Sequence, residues 1–139
     1  MNNNRNNFVL HSQLAQDTVF IKDLPLCQVR LMNDSQYPWV ILVPRKTNCV
    51  EVYDLNEQDF KQLHQESLSI GKKMMMHFQG DKLNIAALGN VVPQLHIHHI
   101  VRFKSDIAWP APVWGKQQST HYTSAELKET IAQLNRLFD

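Results

Sequence analysis

The chain carries its clearest structural signal in the stretch Gln94-Leu95-His96-Ile97-His98-His99-Ile100-Val101-Arg102. Polar residues alternate there with apolar and β-branched ones, which predicts a strand. Successive side chains of a strand point to opposite faces. One face is therefore expected to carry Gln94, His96, His98 and Arg102, and the opposite, apolar face carries His99 at the margin of the core. Imidazole, amide and guanidinium groups in one row suit the binding of a phosphate.

Further elements are predicted upstream of this strand. A short helical turn is expected at residues 11–16 and a weak strand at residues 20–21. The apolar runs Cys27–Met32 and Trp39–Val43 predict an antiparallel hairpin. A long helix is expected over residues 55–78, with Asp54 as its cap, Glu57 in capping-box spacing and Gly80 as its stop. Residues 82–87 alternate as another strand.

The whole pattern predicts one α+β domain over residues 1–139. We expect an antiparallel sheet of about five strands with the long helix packed on one face. The polar, Asn-rich residues 1–7 predict a flexible arm. Residues 105–139 are expected to form a C-terminal extension, irregular over 105–121 and followed by a helix that begins near Thr123 with Glu126 in capping-box position.

Composition narrows the class of protein. The chain has 139 residues with 14 basic and 13 acidic side chains and a net charge of +1, so charge gives no argument for a nucleic-acid or membrane partner. No apolar run approaches the roughly 20 residues of a membrane span. Cys27 and Cys49 lie far apart and are interpreted as reduced thiols, although one disulfide stays open as an alternative. These features favour a soluble, cytoplasmic protein.

Three interpretations of the histidines compete. They can be hydrogen-bonding residues without chemistry, which we favour for His99. They can bind a metal, but His96 and His98 lack a third and fourth ligand at metal-site spacing, so no metal is expected. They can also carry covalent phosphoryl chemistry, because an imidazole attacks phosphorus when one ring nitrogen is free. The other N–H of that ring must then be held by a carbonyl that fixes the tautomer.

The stretch Asn84–Arg102, NIAALGNVVPQLHIHHIVR, resembles the histidine triad (HIT) family, whose signature H-φ-H-φ-H-φ-φ follows a Gly-Gln/Asn step. The resemblance covers most of the chain. Leu31–Asp34 with Trp39–Arg45 looks like the nucleoside-binding hairpin of the family, and Asp54–Phe78 resembles its long helix. The segment Trp109–Gly115 is similar to that of a bacterial subgroup labelled diadenosine-tetraphosphate hydrolase-like.

The triad of this chain can be aligned in two frames, starting at His96 or at Gln94. Gly89-Asn90 and Arg102 stand at the family spacing only if the triad starts at Gln94. In that frame Gln94 replaces the first histidine, His96 is the nucleophile and His98 is the third member. The first histidine of the family mainly orients its neighbours, so Gln94 is expected to keep a hydrogen bond but to lose the ability to carry a proton.

The resemblance implies a hydrolase or transferase that acts on the α-phosphate of a nucleoside phosphate derivative. The substrate would be a dinucleoside polyphosphate or a nucleoside phosphoramidate, and the intermediate a nucleotidyl-histidine on His96. The implied partner is a small nucleotide, with no nucleic acid and no membrane, and the implied assembly is a homodimer. No cofactor is required, although a polyphosphate could bring Mg²⁺. The alternative is a non-catalytic nucleotide-binding module on the same fold, with Gln94 as a sign of lost activity.

Substrate contacts are expected from four further residues at family positions: Asn33, Asn84, Gly89 and Asn90. For each asparagine a role in a turn or at a strand end is equally plausible, and Gly89 fits a tight turn better than a phosphate cradle. Trp109 and Trp114 either close over the site or only pin the C-terminal segment to the body, and we favour the second role.

Overall fold

The computed structural model describes residues 7–139, so the predicted arm over residues 1–7 lies outside the described residues apart from Asn7. Five strands form one antiparallel sheet, as predicted. They are β1 (Thr18–Asp23), β2 (Cys27–Met32), β3 (Trp39–Pro44), β4 (Lys82–Ala86) and β5 (Ile97–Arg102). Their order across the sheet is β1-β2-β3-β5-β4. The predicted hairpin of β2 and β3 is confirmed, and β1 is longer than its weak sequence signal indicated.

The helices of the described residues are α1 (Ser12–Asp17), α2 (Glu57–Phe78) and α3 (Ser124–Leu137), with a 3₁₀ turn at Val52–Asp54. The start of α3 is confirmed, because the Thr123 side chain accepts a hydrogen bond from the backbone N–H of Glu126. The predicted cap of α2 is wrong. Asn56 caps this helix by accepting from Asp59 N, while Asp54 closes the preceding 3₁₀ turn.

The end of α2 also differs from the prediction. Gln79, not Gly80, adopts the left-handed conformation that ends the helix, with φ of 54°. Gly80 is required for another reason, since a Cβ at this position would clash with the Val101 side chain on β5. The glycine therefore marks a close approach between the helix end and the sheet.

Both faces of the sheet are covered, whereas the sequence predicted a cover on one face. On the first face α2 packs against β4 and β5, and α3 packs against β1. On the second face, Trp39 and Ile100 belong to an apolar cluster that also contains Leu14 of α1 and Val113 of the irregular C-terminal segment. This second cover lies over the face on which His98 is placed.

Alternation along β5 divides the histidines as predicted. His99 points to the first face, where its Nε2 lies 2.7 Å from Ser67 Oγ of α2. His98 points to the second face and contacts Trp39. Two details differ from the prediction: the strand begins at Ile97, so Gln94 and His96 precede it, and His99 is fully buried rather than at the core margin.

Within residues 7–139, no helix is long and apolar enough to cross a membrane. Cys27 and Cys49 are both free and buried, which agrees with the interpretation as reduced thiols.

Candidate active site

His96 lies directly before β5 and is held by a backbone carbonyl. Its Nδ1 is 2.7 Å from the carbonyl oxygen of Gln94. A carbonyl oxygen accepts hydrogen bonds but cannot donate one, so Nδ1 must carry the proton. In the neutral ring, Nε2 is then left with a free lone pair. This is the tautomer that the sequence required of a nucleophile.

His98 is held by an indole from the neighbouring strand. Trp39 Nε1 donates to His98 Nδ1 over 3.0 Å. Because an indole N–H can only donate, the Nδ1 atom of His98 carries no proton and the neutral ring bears its hydrogen on Nε2. Burial lowers the pKa of His98 to about 3, and the nearby His96 and His99 lower it further in the same direction.

The two rings thus hold opposite tautomers in one place. The ring centroids of His96 and His98 lie 5.0 Å apart. His96 offers a lone pair at Nε2, and His98 offers an N–H at Nε2. A phosphoryl group placed between them would meet a nucleophile and a hydrogen-bond donor at once.

Trp114, from the irregular C-terminal segment, packs against His98 and lines the same cavity as both histidines. Its ring stands edge-on to His98 at 5.1 Å and to Trp39 at 5.8 Å between centroids. Trp109 lies elsewhere, with the Arg102 guanidinium 5.7 Å from its ring centroid. The two tryptophans therefore have different roles: Trp114 closes over the site at His98, whereas Trp109 packs on the buried Arg102 side chain.

A cavity of about 170 Å³ opens beside the histidines. His96, His98, Gly89 and Asn90 all line it, so these predicted site residues come together. Gly89 has φ of 72°, which confirms the interpretation as a tight-turn residue. The turn brings its backbone and Asn90 to the mouth of the cavity. Further lining is supplied by Leu14, Asp17, Met32, Leu88, Val91, Val92 and Trp114.

A larger cavity of about 390 Å³ adjoins the first. The two share Asp17, Met32 and Trp114 in their walls. Asn33 lines the larger cavity and not the smaller one. Its side-chain oxygen already accepts a hydrogen bond from Tyr122 N, which leaves the amide nitrogen for other contacts.

Asn84 lies apart from the other predicted substrate-binding residues. It pairs with Ile100 in the sheet and lines neither of these two cavities. Its side-chain oxygen accepts a hydrogen bond from Arg102 Nη1 at 2.9 Å. The structure therefore assigns this side chain to holding Arg102, not to the cavity beside His96.

The expectation that Arg102 faces a phosphate is wrong. The residue is buried and forms a two-point ion pair with Asp106, at 2.8 Å from Nε and 2.9 Å from Nη2. The guanidinium holds the pKa of Asp106 at about 2, below its usual range. Asp106, four residues further along the chain, thus neutralises the guanidinium that the strand pattern predicted to face a ligand.

The side chain of Gln94 does not bond to either histidine. Its Oε1 accepts from His11 N at 2.8 Å, and its Nε2 donates to Val9 O at 2.9 Å. The expected orienting role is carried instead by its backbone carbonyl, which fixes the tautomer of His96.

Two residues that line the cavity, Leu14 and Asp17, were not predicted from the sequence. Met32 and Trp39 lie in the segments that resemble the nucleoside-binding hairpin, but no role was predicted for their side chains. Trp39 was interpreted as part of a buried apolar strand, and only its indole N–H signalled that a buried acceptor would be needed. Within residues 7–139, no three His, Cys, Asp or Glu side chains lie together in a way that could hold a metal ion.

Comparison with known proteins identifies the family. Residues 13–105 match the HIT domain family. Among solved structures, a histidine triad protein from Marinobacter aquaeolei is 50% identical, with a TM-score of 0.92 over 94% of this chain and 96% of that one. One from Bradyrhizobium japonicum is 45% identical, with a TM-score of 0.92 over 95% of this chain and 98% of that one.

A third histidine triad protein, from Sinorhizobium meliloti, is 37% identical with a TM-score of 0.92, covering 95% of this chain and 98% of that one. None of the curated proteins is significantly similar to the chain. The fold, the histidines before and within β5, and these similarities agree: the chain belongs to the HIT domain family.

Proposed function

We propose that the protein is a nucleotide hydrolase or transferase that attacks the α-phosphate of a nucleoside phosphate derivative through His96. Membership of the HIT family supports a role in nucleotide binding, hydrolysis or transfer. Attack by His96 itself is supported by the 2.7 Å contact between His96 Nδ1 and the Gln94 carbonyl oxygen. It places the ring proton on Nδ1 and leaves Nε2 of the neutral ring unprotonated, with the lone pair that a nucleophile needs.

The proposed reaction has two displacements at phosphorus. His96 Nε2 forms a bond to the α-phosphorus while the bond to the leaving-group oxygen or nitrogen breaks, and the leaving group takes a proton from solvent. Water then attacks the nucleotidyl-histidine, the P–N bond breaks, and a proton from that water returns to solvent. The products are the nucleoside monophosphate and the unchanged His96.

Charge on the phosphoryl oxygens is met by donors already in place. His98 is neutral because burial depresses its pKa, and its Nε2–H is available because Trp39 occupies Nδ1. Asn90 lines the same cavity, and its side-chain amide is the second donor that we propose. Phosphoryl transfer demands chiefly positioning and stabilisation of charge, which such donors provide. No cofactor is part of the proposal, and a polyphosphate substrate would carry its own Mg²⁺.

The cavities favour an extended, polar substrate. The smaller cavity is lined by the two histidines, and the larger one lies on the other side of shared walls that include Trp114. Two neighbouring cavities suit a molecule with a group on each side of the scissile phosphate. We therefore retain dinucleoside polyphosphates of the diadenosine tetraphosphate type as the proposed substrates, with nucleoside phosphoramidates as the second class.

The decisive experiment is intact-mass analysis after rapid mixing with diadenosine tetraphosphate or an adenosine phosphoramidate. Wild-type protein should gain the mass of one adenylyl group. His96→Ala should show no adduct, and His98→Ala should turn over about 10²-fold more slowly while still forming it. His77→Ala, which changes an exposed histidine, is the matched control. An adduct that survives in His96→Ala but not in His98→Ala would show that His98 is the nucleophile and would refute the assignment to His96.

The same experiment separates the alternative of a non-catalytic binding module. A module would bind adenosine monophosphate but give neither adduct nor product. The replacement of the first triad histidine by Gln94 is the sequence feature that favours this alternative. Measuring binding and adduct formation on one sample therefore distinguishes loss of chemistry from loss of binding.

We also propose that the protein works as a homodimer in the cytoplasm. β4 is an edge strand, so one side of it is unpaired within the described sheet. Ile85 of β4 and the α2 residues Phe60 and Leu68 also expose apolar side chains. A second copy related by a two-fold axis would cover both. Sedimentation of wild type and Leu68→Lys should show a dimer that the substitution weakens, and a monomeric wild type would refute this assembly.

A further inference from the structure

Gln94 connects two parts of the chain that lie far apart in sequence. Its side-chain amide meets the segment of residues 8–17, which we call the N-terminal wall. Oε1 accepts from His11 N at 2.8 Å and Nε2 donates to Val9 O at 2.9 Å. The two contacts flank Leu10 as a neighbouring strand would, so the amide replaces a peptide group at this point.

This pairing needs a donor and an acceptor on one short, planar end group, and a Gln amide has both. A carboxylate of the same shape keeps the acceptor for His11 N but loses the donor for Val9 O. A histidine has its two ring nitrogens on diverging directions. Gln94, which replaces the first histidine of the triad, therefore has the side chain that can pair with the backbone of the wall.

The N-terminal wall forms part of the cavity that contains the histidines. Leu14 is buried in the cluster around Trp39, and Leu14 and Asp17 line the cavity with His96. His96 itself is only 7% exposed. Because the wall and His96 face the same cavity, displacement of the wall is expected to widen access to the His96 ring.

We infer that Gln94 is a positioning residue that docks the N-terminal wall over His96 through its side chain while fixing the tautomer of His96 through its carbonyl. The inference rests on the proposed function in taking His96 as the reacting group. It gives the amide at the first triad position a role that a histidine would not fill: holding a wall of the cavity in place.

The test uses Gln94→Glu, which preserves shape and removes one donor. At about pH 8 the carboxylate faces the Val9 carbonyl, and the wall should be released. Hydrogen exchange at the His11 amide should accelerate about tenfold or more relative to wild type. Carbethoxylation of His96 by diethylpyrocarbonate, followed by peptide mass, should accelerate similarly, with exposed His77 as the internal reference.

Protonation supplies a rescue that a merely structural defect would not show. Near about pH 5 a carboxyl group that faces a carbonyl takes up a proton and regains the donor. The ratio of variant to wild-type rates should then fall back toward one at both His11 and His96. Gln58→Glu, which adds the same charge on an exposed position of α2, should keep both ratios at one throughout.

A second pair of variants covers the case in which Gln94→Glu does not fold. His11 has φ of −56°, which proline also adopts, so His11→Pro removes the N–H that donates to Gln94. His11→Ala removes only the side-chain cap of Gln13 N. We expect His11→Pro to expose His96 more than His11→Ala does.

The inference is overturned if His11 stays protected in Gln94→Glu at about pH 8. It is also overturned if His11 loses protection while His96 reacts at the wild-type rate, because the segment would then not be a wall. If both rates change as expected but wild type forms no adenylyl adduct, the docking role stands and the proposed function fails.

Discussion

Acid should destabilise this protein strongly, because two neutral histidines are buried in it. Burial lowers the pKa of His98 to about 3, and the neighbouring His96 and His99 act in the same direction. Burial also lowers the pKa of His99 to about 4, although hydrogen bonds to the backbone of Ile97 and Val40 oppose that shift. Neither ring accepts a proton readily in the folded protein, whereas both do so once the chain unfolds.

The direction and size of this change in the free energy of unfolding follow from the linkage between protonation and folding. A group whose pKa is lower in the folded state stabilises the protein above its unfolded pKa of about 6.5, and that stabilisation is lost as pH falls. Between about pH 7 and pH 5 the unfolded chain takes up about three-quarters of a proton at each ring, and the folded protein takes up almost none. Each histidine should then remove on the order of 2 kcal/mol from the free energy of unfolding, about 4 kcal/mol together.

The assay is urea unfolding at about pH 7, 6 and 5, followed by tryptophan fluorescence and circular dichroism. His99→Gln should lower stability at every pH but remove about half of the pH dependence, since one titrating ring is gone. His77→Gln, at an exposed position, is the control and should keep the wild-type slope. A His99→Gln variant whose free energy of unfolding falls with pH as steeply as that of wild type would refute the argument.

Three further predictions concern single contacts. Trp39→Phe removes the N–H that holds His98 in its donor tautomer, so turnover of diadenosine tetraphosphate should fall about 10- to 10²-fold, which steady-state kinetics can measure. Glu66→Gln replaces a buried carboxylate that accepts hydrogen bonds from backbone N–H groups at the start of β2. Urea unfolding should show a free energy of unfolding lower by about 1–3 kcal/mol, with adduct formation unchanged. Asp106→Asn strips the buried Arg102 of its counter-charge, and the free energy of unfolding should fall by about 3–5 kcal/mol; a loss below about 1 kcal/mol would contradict the buried ion pair.

Much of the fold could be predicted from local patterns. The strands β2, β3 and β5, the helices α2 and α3, and the division of His98 and His99 between opposite faces all follow from periodicity and capping signals. Periodicity succeeds here because it reports which side of an element is buried, and burial is a local property of the side-chain sequence. The tether of the proposed nucleophile to a carbonyl was also expected, from the chemistry that an attacking imidazole requires.

The errors at the site have a common cause. Arg102 was placed on the correct face, yet periodicity gave no sign that Asp106 would neutralise it there. For Asn84 the sequence left a substrate contact and a strand-end role equally open, and its side-chain oxygen accepts a hydrogen bond from Arg102. The face of a strand on which a side chain lies can be inferred from the sequence. The group that a polar side chain contacts there depends on which other segments of the chain pack against that face.

Sequence alone therefore determined the fold class, the family and the two imidazoles of the proposed chemistry. Only the tertiary structure decided what surrounds them: Trp39 and Trp114 against His98, and the N-terminal wall held by Gln94. These contacts join residues 59 to 85 positions apart, or bring in a segment with no regular periodicity. Hydrogen-bond partners at such separations are chosen by the packing of the whole chain, because each buried polar group must find a partner wherever folding brings one.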